Sequence, residues 1–135
     1  MASEAFGSSV KILSSDGRYI AAGAPRFFTD AGIVRVYGRS NNDAYELIGS
    51  ITGIPGDSLG DTNSIGGIAA PDLVVFVATK KGSVKRFRKN PVSGLFVQIG
   101  ASVVTGYTSA PLAISSNGTS FAVGGKNQVA IYAGI

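Results

Sequence analysis

The sequence repeats itself, and this repetition constrains the fold more than any other feature. Two long units and a shorter third one follow each other along the chain, over residues 6–53, 59–106 and 110–135. Corresponding positions, such as Val34, Val84 and Val129, lie about 45–55 residues apart. A fixed period of this length indicates one supersecondary unit that is built again and again along the chain.

Within each unit, short apolar or β-branched runs alternate with turn dipeptides, which is the pattern of antiparallel strands joined by hairpins. The turn dipeptides are Asp16-Gly17, Pro71-Asp72, Lys81-Gly82 and Asn117-Gly118. Strands are predicted in the first unit over residues 9–13, 19–23, 33–37 and 45–51, and in the third unit over 112–115, 120–123 and 129–132. Because no segment shows sustained helical spacing, we expect an all-β fold of four-stranded antiparallel units.

Four short motifs in the first unit point to a known kind of repeat. They are FGSSV at residues 6–10, SSDG at 14–17, AAGAP at 21–25 and GIVRVY at 32–37. These pieces resemble the FG-GAP repeat of integrin-α-type β-propellers, and the resemblance extends in weaker form over nearly the whole chain. It implies propeller blades of four strands each, of which this single β-repeat domain would hold about two and three quarters.

An incomplete set of blades has a consequence for assembly. A closed propeller needs about four or more blades, so we expect self-association into a homo-oligomer or completion by another protein subunit. Two copies would supply about six blades and three copies about nine, with the outer edge of the third unit filled by an N-terminal segment. Two alternatives stay open, namely a fragment of a longer propeller and a β-sandwich.

Composition excludes several kinds of chemistry. The chain has no Cys, His or Trp, which removes disulfides, Cys/His zinc sites and mechanisms that need an imidazole or a thiolate. The resemblance implies calcium in an Asp/Asn-rich loop of many such blades, but each corresponding loop here offers at most one carboxylate. A looser run at residues 56–63 has two carboxylates without the spacing of a calcium loop. We therefore expect no catalytic residues, no metal and no cofactor.

The charges of the chain are unevenly distributed. Residues 1–72 carry five basic and eight acidic side chains, whereas residues 73–135 carry seven basic and none acidic. Arg86 stands where the other units have Val36 and Ile131, so a cation occupies an apolar slot. Six of the seven cations form a basic hairpin within residues 80–89, and all six are candidate partner-binding residues: Lys80, Lys81, Lys85, Arg86, Arg88 and Lys89.

The partner of the basic hairpin is expected to be acidic. A protein surface or a sister chain is favoured, with Asp57 and Asp61 of the N-terminal half as counter-charges. Nucleic acid is a less favoured candidate, and a solvated strand is the remaining alternative. Phe27 and Phe28 are adjacent in the loop over residues 25–32, where such blades carry small polar residues, and they are candidate interface anchors.

The sequence thus predicts a non-enzymatic module for assembly or protein interaction. A carbohydrate-binding oligomeric propeller is the alternative, although the absence of Trp and the presence of only two Glu weigh against lectin-type pockets. No apolar run approaches the roughly 20 residues of a membrane span, and the first residues lack the order of a signal peptide. We expect a soluble chain and leave its localisation open.

Overall fold

The chain folds into three antiparallel β-sheets, each made of consecutive strands. This computed structural model describes residues 6–61, 63–70, 72–107, 111–125 and 127–133. Each sheet contains neighbouring strands in chain order, so every connection within a sheet is a hairpin or a short loop. The expected all-β class with antiparallel pairing is therefore confirmed.

The first sheet has four strands in the order of the sequence. They are β1 (Ser9–Ile12), β2 (Tyr19–Ala24), β3 (Ile33–Arg39) and β4 (Tyr45–Thr52). One short turn of helix, α1 (Phe27–Asp30), connects β2 to β3, and Phe28 and Thr29 within it have positive φ angles of 46° and 52°. Non-glycine residues rarely adopt this left-handed conformation, so α1 is a turn rather than a regular helix.

The second and third sheets repeat this arrangement with differences at their outer edges. The second contains β5 (Ile65–Ile68), β6 (Val74–Thr79), β7 (Ser83–Lys89), β8 (Phe96–Gln98) and β9 (Val103–Val104), and the third contains β10 (Leu112–Ile114), β11 (Ser120–Gly125) and β12 (Gln128–Ala133). Both β8 and β9 pair with β7. Gly100 lies between them with a φ of 69°, a value that glycine adopts without strain, and the outer strand bends there.

The strands predicted for the first and third units begin and end within two residues of the observed ones. Three of the predicted turns are also present, since the N–H groups of Gly17, Gly82 and Gly118 donate to the carbonyl three residues earlier at 2.9–3.1 Å. Pro71, in the fourth predicted turn, lies outside the described residues.

The three sheets stack face to face in chain order. A first core lies between the first and second sheets and includes Val34, Val36, Val75 and Val77. A second core lies between the second and third sheets, where the ring of Phe76 meets that of Phe121 at a centroid distance of 6.1 Å. All six residues of β6 are buried, because neighbouring sheets cover both of its faces. This explains why β6 reads as a continuous apolar run instead of an alternating one.

The segment that connects the first two sheets is packed against β2 and β3 through backbone contacts. Leu59 is fully buried, forms a parallel bridge with Gly32 and donates its N–H to Ala31 at 3.1 Å. A Cβ atom added to Gly23 of β2 would overlap the Cα and carbonyl of Gly60. The connection can therefore approach the sheet this closely only because glycine occupies these positions.

We predict that Gly23→Ala and Gly124→Ala have opposite effects on stability. The two glycines occupy corresponding positions in β2 and β11, but a Cβ on Gly124 would meet only Pro111, at 3.6 Å. Gly23→Ala should lower the free energy of unfolding by about 1–3 kcal/mol through overpacking. Gly124→Ala should raise it by up to about 1 kcal/mol, because alanine loses less entropy on entering a strand.

Urea denaturation of the two variants beside the parent chain measures both effects. Equal changes of the same sign in the two variants would contradict the close packing of Gly23 on Gly60.

Candidate functional site

The basic hairpin presents its cations to two different sides of the second sheet. In the register of β6 and β7, Lys85 lies opposite Val77 of the first core, and Arg86 lies opposite Phe76 of the second core. Successive side chains of a strand point to opposite faces. The structure therefore separates Lys85, on the face of the first sheet, from Arg86 and Arg88, on the face of the third sheet.

Lys85 is engaged in a buried ion pair within the chain. Its Nζ lies 3.0 Å from Oδ2 of Asp57, and the Asp57 side chain is only 1% exposed. The same carboxylate oxygen accepts the N–H of Ile54 at 3.1 Å, and Oδ1 lies 4.0 Å from Nζ of the half-exposed Lys81. This pair joins β7 to the segment that connects the first two sheets.

The burial of Asp57 corrects one expectation from the sequence. Asp57 was expected to serve as a counter-charge for Arg86 of a neighbouring chain, but its carboxylate is buried and occupied by Lys85. Asp61 instead lines a polar cavity of about 500 Å³ together with Arg26, Asp30 and Lys80. Lys80 is thus placed beside acidic side chains of its own chain.

Arg86 and Arg88 lack a close ion pair of the Asp57–Lys85 kind among the described residues. Arg86 is half-buried, and a Cβ added to Gly100 would lie 2.7 Å from its Nη2, so the guanidinium covers the bend between β8 and β9. Arg88 is exposed and lines a cavity of about 440 Å³ with Asp72, Asn90 and residues of β8. Within the described part of the chain, neither guanidinium forms an ion pair at 4.0 Å or less. Lys89, at the end of β7, is half-buried opposite Phe96.

The adjacent aromatic residues lie at the outer face of the first sheet, the face turned away from the second sheet. The guanidinium of Arg35 lies 5.9 Å from the ring centroid of Phe27 and 5.0 Å from that of Phe6, within the range of cation–π attraction. Phe28 is 71% exposed, with its ring 6.4 Å from that of Phe27. The structure therefore brings Phe27 and Phe28 together, with Phe28 open to solvent.

The outer face of the third sheet is exposed, whereas the corresponding faces of the first and second sheets are buried under the following sheet. Val34, Val84 and Val129 lie on the third strands of their sheets, opposite the corresponding residues Gly23, Ala78 and Gly124. Their exposures are 0%, 1% and 70%, because another sheet covers the first two valines. Ile131, on the same outer face, is 76% exposed.

The outer face of the first sheet is likewise exposed, whereas the corresponding faces of the second and third sheets are buried under the preceding sheet. Val10, Ile65 and Leu112 lie on the first strands of their sheets, each opposite the corresponding residue of the second strand. Val10 is 62% exposed, whereas Ile65 and Leu112 are 2% and 8% exposed under the preceding sheet. Ile12 is 59% exposed beside Val10. Both end faces therefore expose apolar side chains at positions whose counterparts between the sheets are buried.

The hairpin turns of the three sheets surround a further cavity, of about 430 Å³. Ser14, Asp16, Tyr19 and Ser115 are among its lining residues. The Ser14 and Ser115 hydroxyls each accept a backbone N–H within their own turn. The pKa of the Asp16 carboxyl lies below its usual value because the Ser14 side chain and the Arg18 backbone N–H hydrogen-bond to it. These polar groups stabilise the turns.

The described ranges contain no group of three or more His, Cys, Asp or Glu side chains arranged to hold a metal ion. Their helical segment is too short and too polar to cross a membrane. A scan against protein-family models found no matching family, and a search of curated proteins found no matching relative.

Sequence reasoning missed the Asp57–Lys85 pair and the position of Arg35 between two rings. Asp57 lies in a Gly-Asp-Ser stretch that is typical of an exposed turn, and no periodic pattern marks it as buried. Arg35 alternates correctly with Val34 and Val36 and looks like an ordinary solvent-facing residue of a strand. The two aromatic partners of Arg35 belong to separate loops, so only the fold shows that they meet.

We predict that Lys85→Met destabilises the fold far more than Lys81→Met. Removal of the Lys85 ammonium leaves the buried Asp57 carboxylate without its close partner, which should lower the free energy of unfolding by about 3–5 kcal/mol. Lys81 is half-exposed and 4.0 Å away, so its removal should cost less than about 1 kcal/mol. Urea denaturation gives both values, and equal effects would show that the buried pair is not a specific link.

Proposed function

We propose that this protein is a non-enzymatic assembly module whose copies associate head to tail. The outer face of the third sheet of one copy would pack on the outer face of the first sheet of the next. One observation carries the proposal: Val10 and Val129 are 62% and 70% exposed at the two ends, where their counterparts inside the chain are buried. Apolar strand faces of this kind are typical of surfaces that a partner covers.

The repeat also supplies a reason for complementarity. Inside the chain, the face that carries Val34 packs on the face that carries Ile65, and the face of Val84 packs on that of Leu112. Over their first three strands, the outer face of the third sheet corresponds to the faces that carry Val34 and Val84, and the outer face of the first sheet corresponds to the faces that carry Ile65 and Leu112. Packing of one end on the other would therefore repeat an interface that the chain already makes twice.

Such a contact joins two different surfaces, so it is heterologous and leads to a closed ring or an open filament. The resemblance of the first unit to FG-GAP blades favours a ring. Two copies would place six sheets in that ring, and three copies would place nine. In a ring of two copies the end faces meet twice, while the translational entropy of association is lost only once.

The magnitudes are compatible with a measurable affinity. Full burial of an aliphatic side chain contributes about 1.5–3 kcal/mol, and Val10, Ile12, Val129 and Ile131 are 59–76% exposed, so together they would contribute roughly 4–8 kcal/mol at each contact. Association costs about 4–15 kcal/mol in lost rigid-body freedom. One contact is thus marginal on its own, and two contacts in a closed ring offset most of that range. Phe28, beside the first face, would add to the contact.

Carbohydrate binding is the second candidate function, and the cavity among the hairpin turns supports it. Tyr19 and several serine hydroxyls line that cavity, and sugars are bound by such groups. However, Ser14 and Ser115 already use their hydroxyl oxygens within the turns. Self-association is favoured because it accounts for both exposed end faces.

We predict that Ile131→Asp abolishes self-association, whereas Val92→Asp does not. Both side chains are exposed, at 76% and 95%, but Val92 lies in the loop before β8, away from the outer face of the third sheet. A carboxylate at position 131 would have to be desolvated in the contact. Because Ile131 is exposed in the single chain, Ile131→Asp should leave the stability of the individual fold unchanged.

Sedimentation equilibrium over a range of micromolar concentrations measures this. The parent chain and Val92→Asp should show multiples of 13.7 kDa, and Ile131→Asp should show the mass of one chain. A parent chain that stays at 13.7 kDa at every concentration would overturn the proposal.

A further inference from the structure

The third sheet ends in an open edge. In the first and second sheets, the third strand pairs with a further strand on its outer side, β4 on β3 and β8 on β7. In the third sheet, β12 pairs with β11, and no strand among the described residues pairs with its other side. An edge strand presents a row of backbone N–H and C=O groups that can hydrogen-bond to an added strand.

The second sheet shows where such an added strand would run. Gly49 of β4 is covered by the ring of Phe96 from β8, since a Cβ on Gly49 would lie 2.6 Å from that ring. Gly100 is the corresponding glycine of the second sheet, and there the Arg86 guanidinium occupies the surface. By the same packing, a fourth strand on the third sheet would pass over Gly100 and Arg86.

Alternation of side chains then determines the pattern of the added strand. Ala130 and Tyr132 of β12 pack against the second core, while Val129 and Ile131 point to the opposite, exposed face. One set of side chains on the added strand would face the second sheet and meet Arg86 and Arg88, which form no ion pair at 4.0 Å or less among the described residues. The other set would lie beside exposed valine and isoleucine, where β-branched residues form favourable cross-strand pairs.

We propose that the free edge of β12 binds an extended acidic segment of a partner protein, which adds to the third sheet as an antiparallel fourth strand. Its Asp or Glu side chains would pair with Arg86 and Arg88, and its alternate apolar side chains would lie beside Val129 and Ile131. Backbone hydrogen bonds supply affinity in this mode of recognition, and the alternating side chains supply specificity. Arginine forms strong charge-assisted hydrogen bonds with carboxylates, which makes the two guanidinium groups suitable anchors.

This inference does not depend on self-association, because its backbone hydrogen bonds form at the edge of β12 and its ion pairs form on the side of the second sheet, whereas self-association needs only the outer face of the third sheet. The seven cations and the absence of acidic residues in positions 73–135 favour an anionic partner in addition. An acidic partner also explains why an arginine occurs at this position. Arg86 occupies the strand position that holds the fully buried Val36 in the first sheet.

The test uses a fluorescently labelled peptide that alternates valine and glutamate, and a control peptide that alternates valine and lysine. Fluorescence anisotropy with the full chain should show binding of the first peptide and none of the second. The affinity should fall as salt is raised.

Arg86→Val should weaken the affinity for the glutamate peptide about tenfold or more and flatten its salt dependence. The strand should stay intact because the other sheets have aliphatic residues at this position. Lys80→Val is the matched control, since it removes a cation from the same hairpin on the side of Asp30 and Asp61, and it should change the affinity less than about twofold.

Hydrogen exchange provides a second readout that locates the site. Addition of the glutamate peptide should protect amides of β12 in the parent chain and in Val10→Asp, a variant designed to disrupt self-association. Peptide binding that persists in Val10→Asp would separate this inference from the proposed function.

Several results would overturn the inference. These are equal binding of the two peptides, an unchanged affinity in Arg86→Val, or protection at a place other than β12. Binding only after removal of residues 1–5 would show that the N-terminal segment of the chain itself occupies the edge. Stronger binding of single-stranded RNA than of the glutamate peptide would assign the cations to nucleic acid instead.

Discussion

Every sheet of this protein carries apolar side chains on both faces, and the stacking of the sheets follows from the need to cover them. Both faces of a sheet are covered where it lies between two neighbours, as β6 shows, with all six residues buried. A row of three sheets satisfies this requirement for the middle sheet and leaves one face uncovered at each end. The exposed Val10 and Val129 are thus a geometric result of stacking, and the proposed head-to-tail association would cover both exposed faces together.

The contact between the first two sheets depends on more than apolar packing. The connection between them lies on β2 and β3 through glycine contacts, and its Asp57 reaches across to Lys85 of the second sheet. A buried ion pair contributes little net stability when compared with apolar residues, but the removal of one partner is costly. The pair therefore fixes the position of the two sheets relative to each other. The cations of the basic hairpin are divided as a result: Lys85 is held in the buried pair, whereas Arg86 and Arg88, on the opposite face, are the cations to which the proposed acidic partner would bind.

The secondary structure could be predicted from the sequence because turns and strand patterns are local. Asp16-Gly17 and Asn117-Gly118 mark hairpins whose backbone requires positive φ, and the β-branched runs between them follow directly. The equivalence of Val36, Arg86 and Ile131 was also visible, and the strand register agrees with it. The sequence could not show which of these three positions is covered, since that depends on the neighbouring sheet. Asp57 was misjudged for the same reason: its burial results from the docking of a whole segment.

The central claim, that the two end faces of the chain fit each other, can be tested by complementation. Val10→Asp and Ile131→Asp each disrupt a different end face, so each variant alone should be a single chain in sedimentation. An equimolar mixture still contains one intact face of each kind, and it should form a complex of one copy of each variant, with weaker affinity than the parent ring. Self-association of either variant alone would show that the contact joins like surfaces, and absence of any complex in the mixture at concentrations well above those at which the parent chain associates would likewise contradict the head-to-tail arrangement.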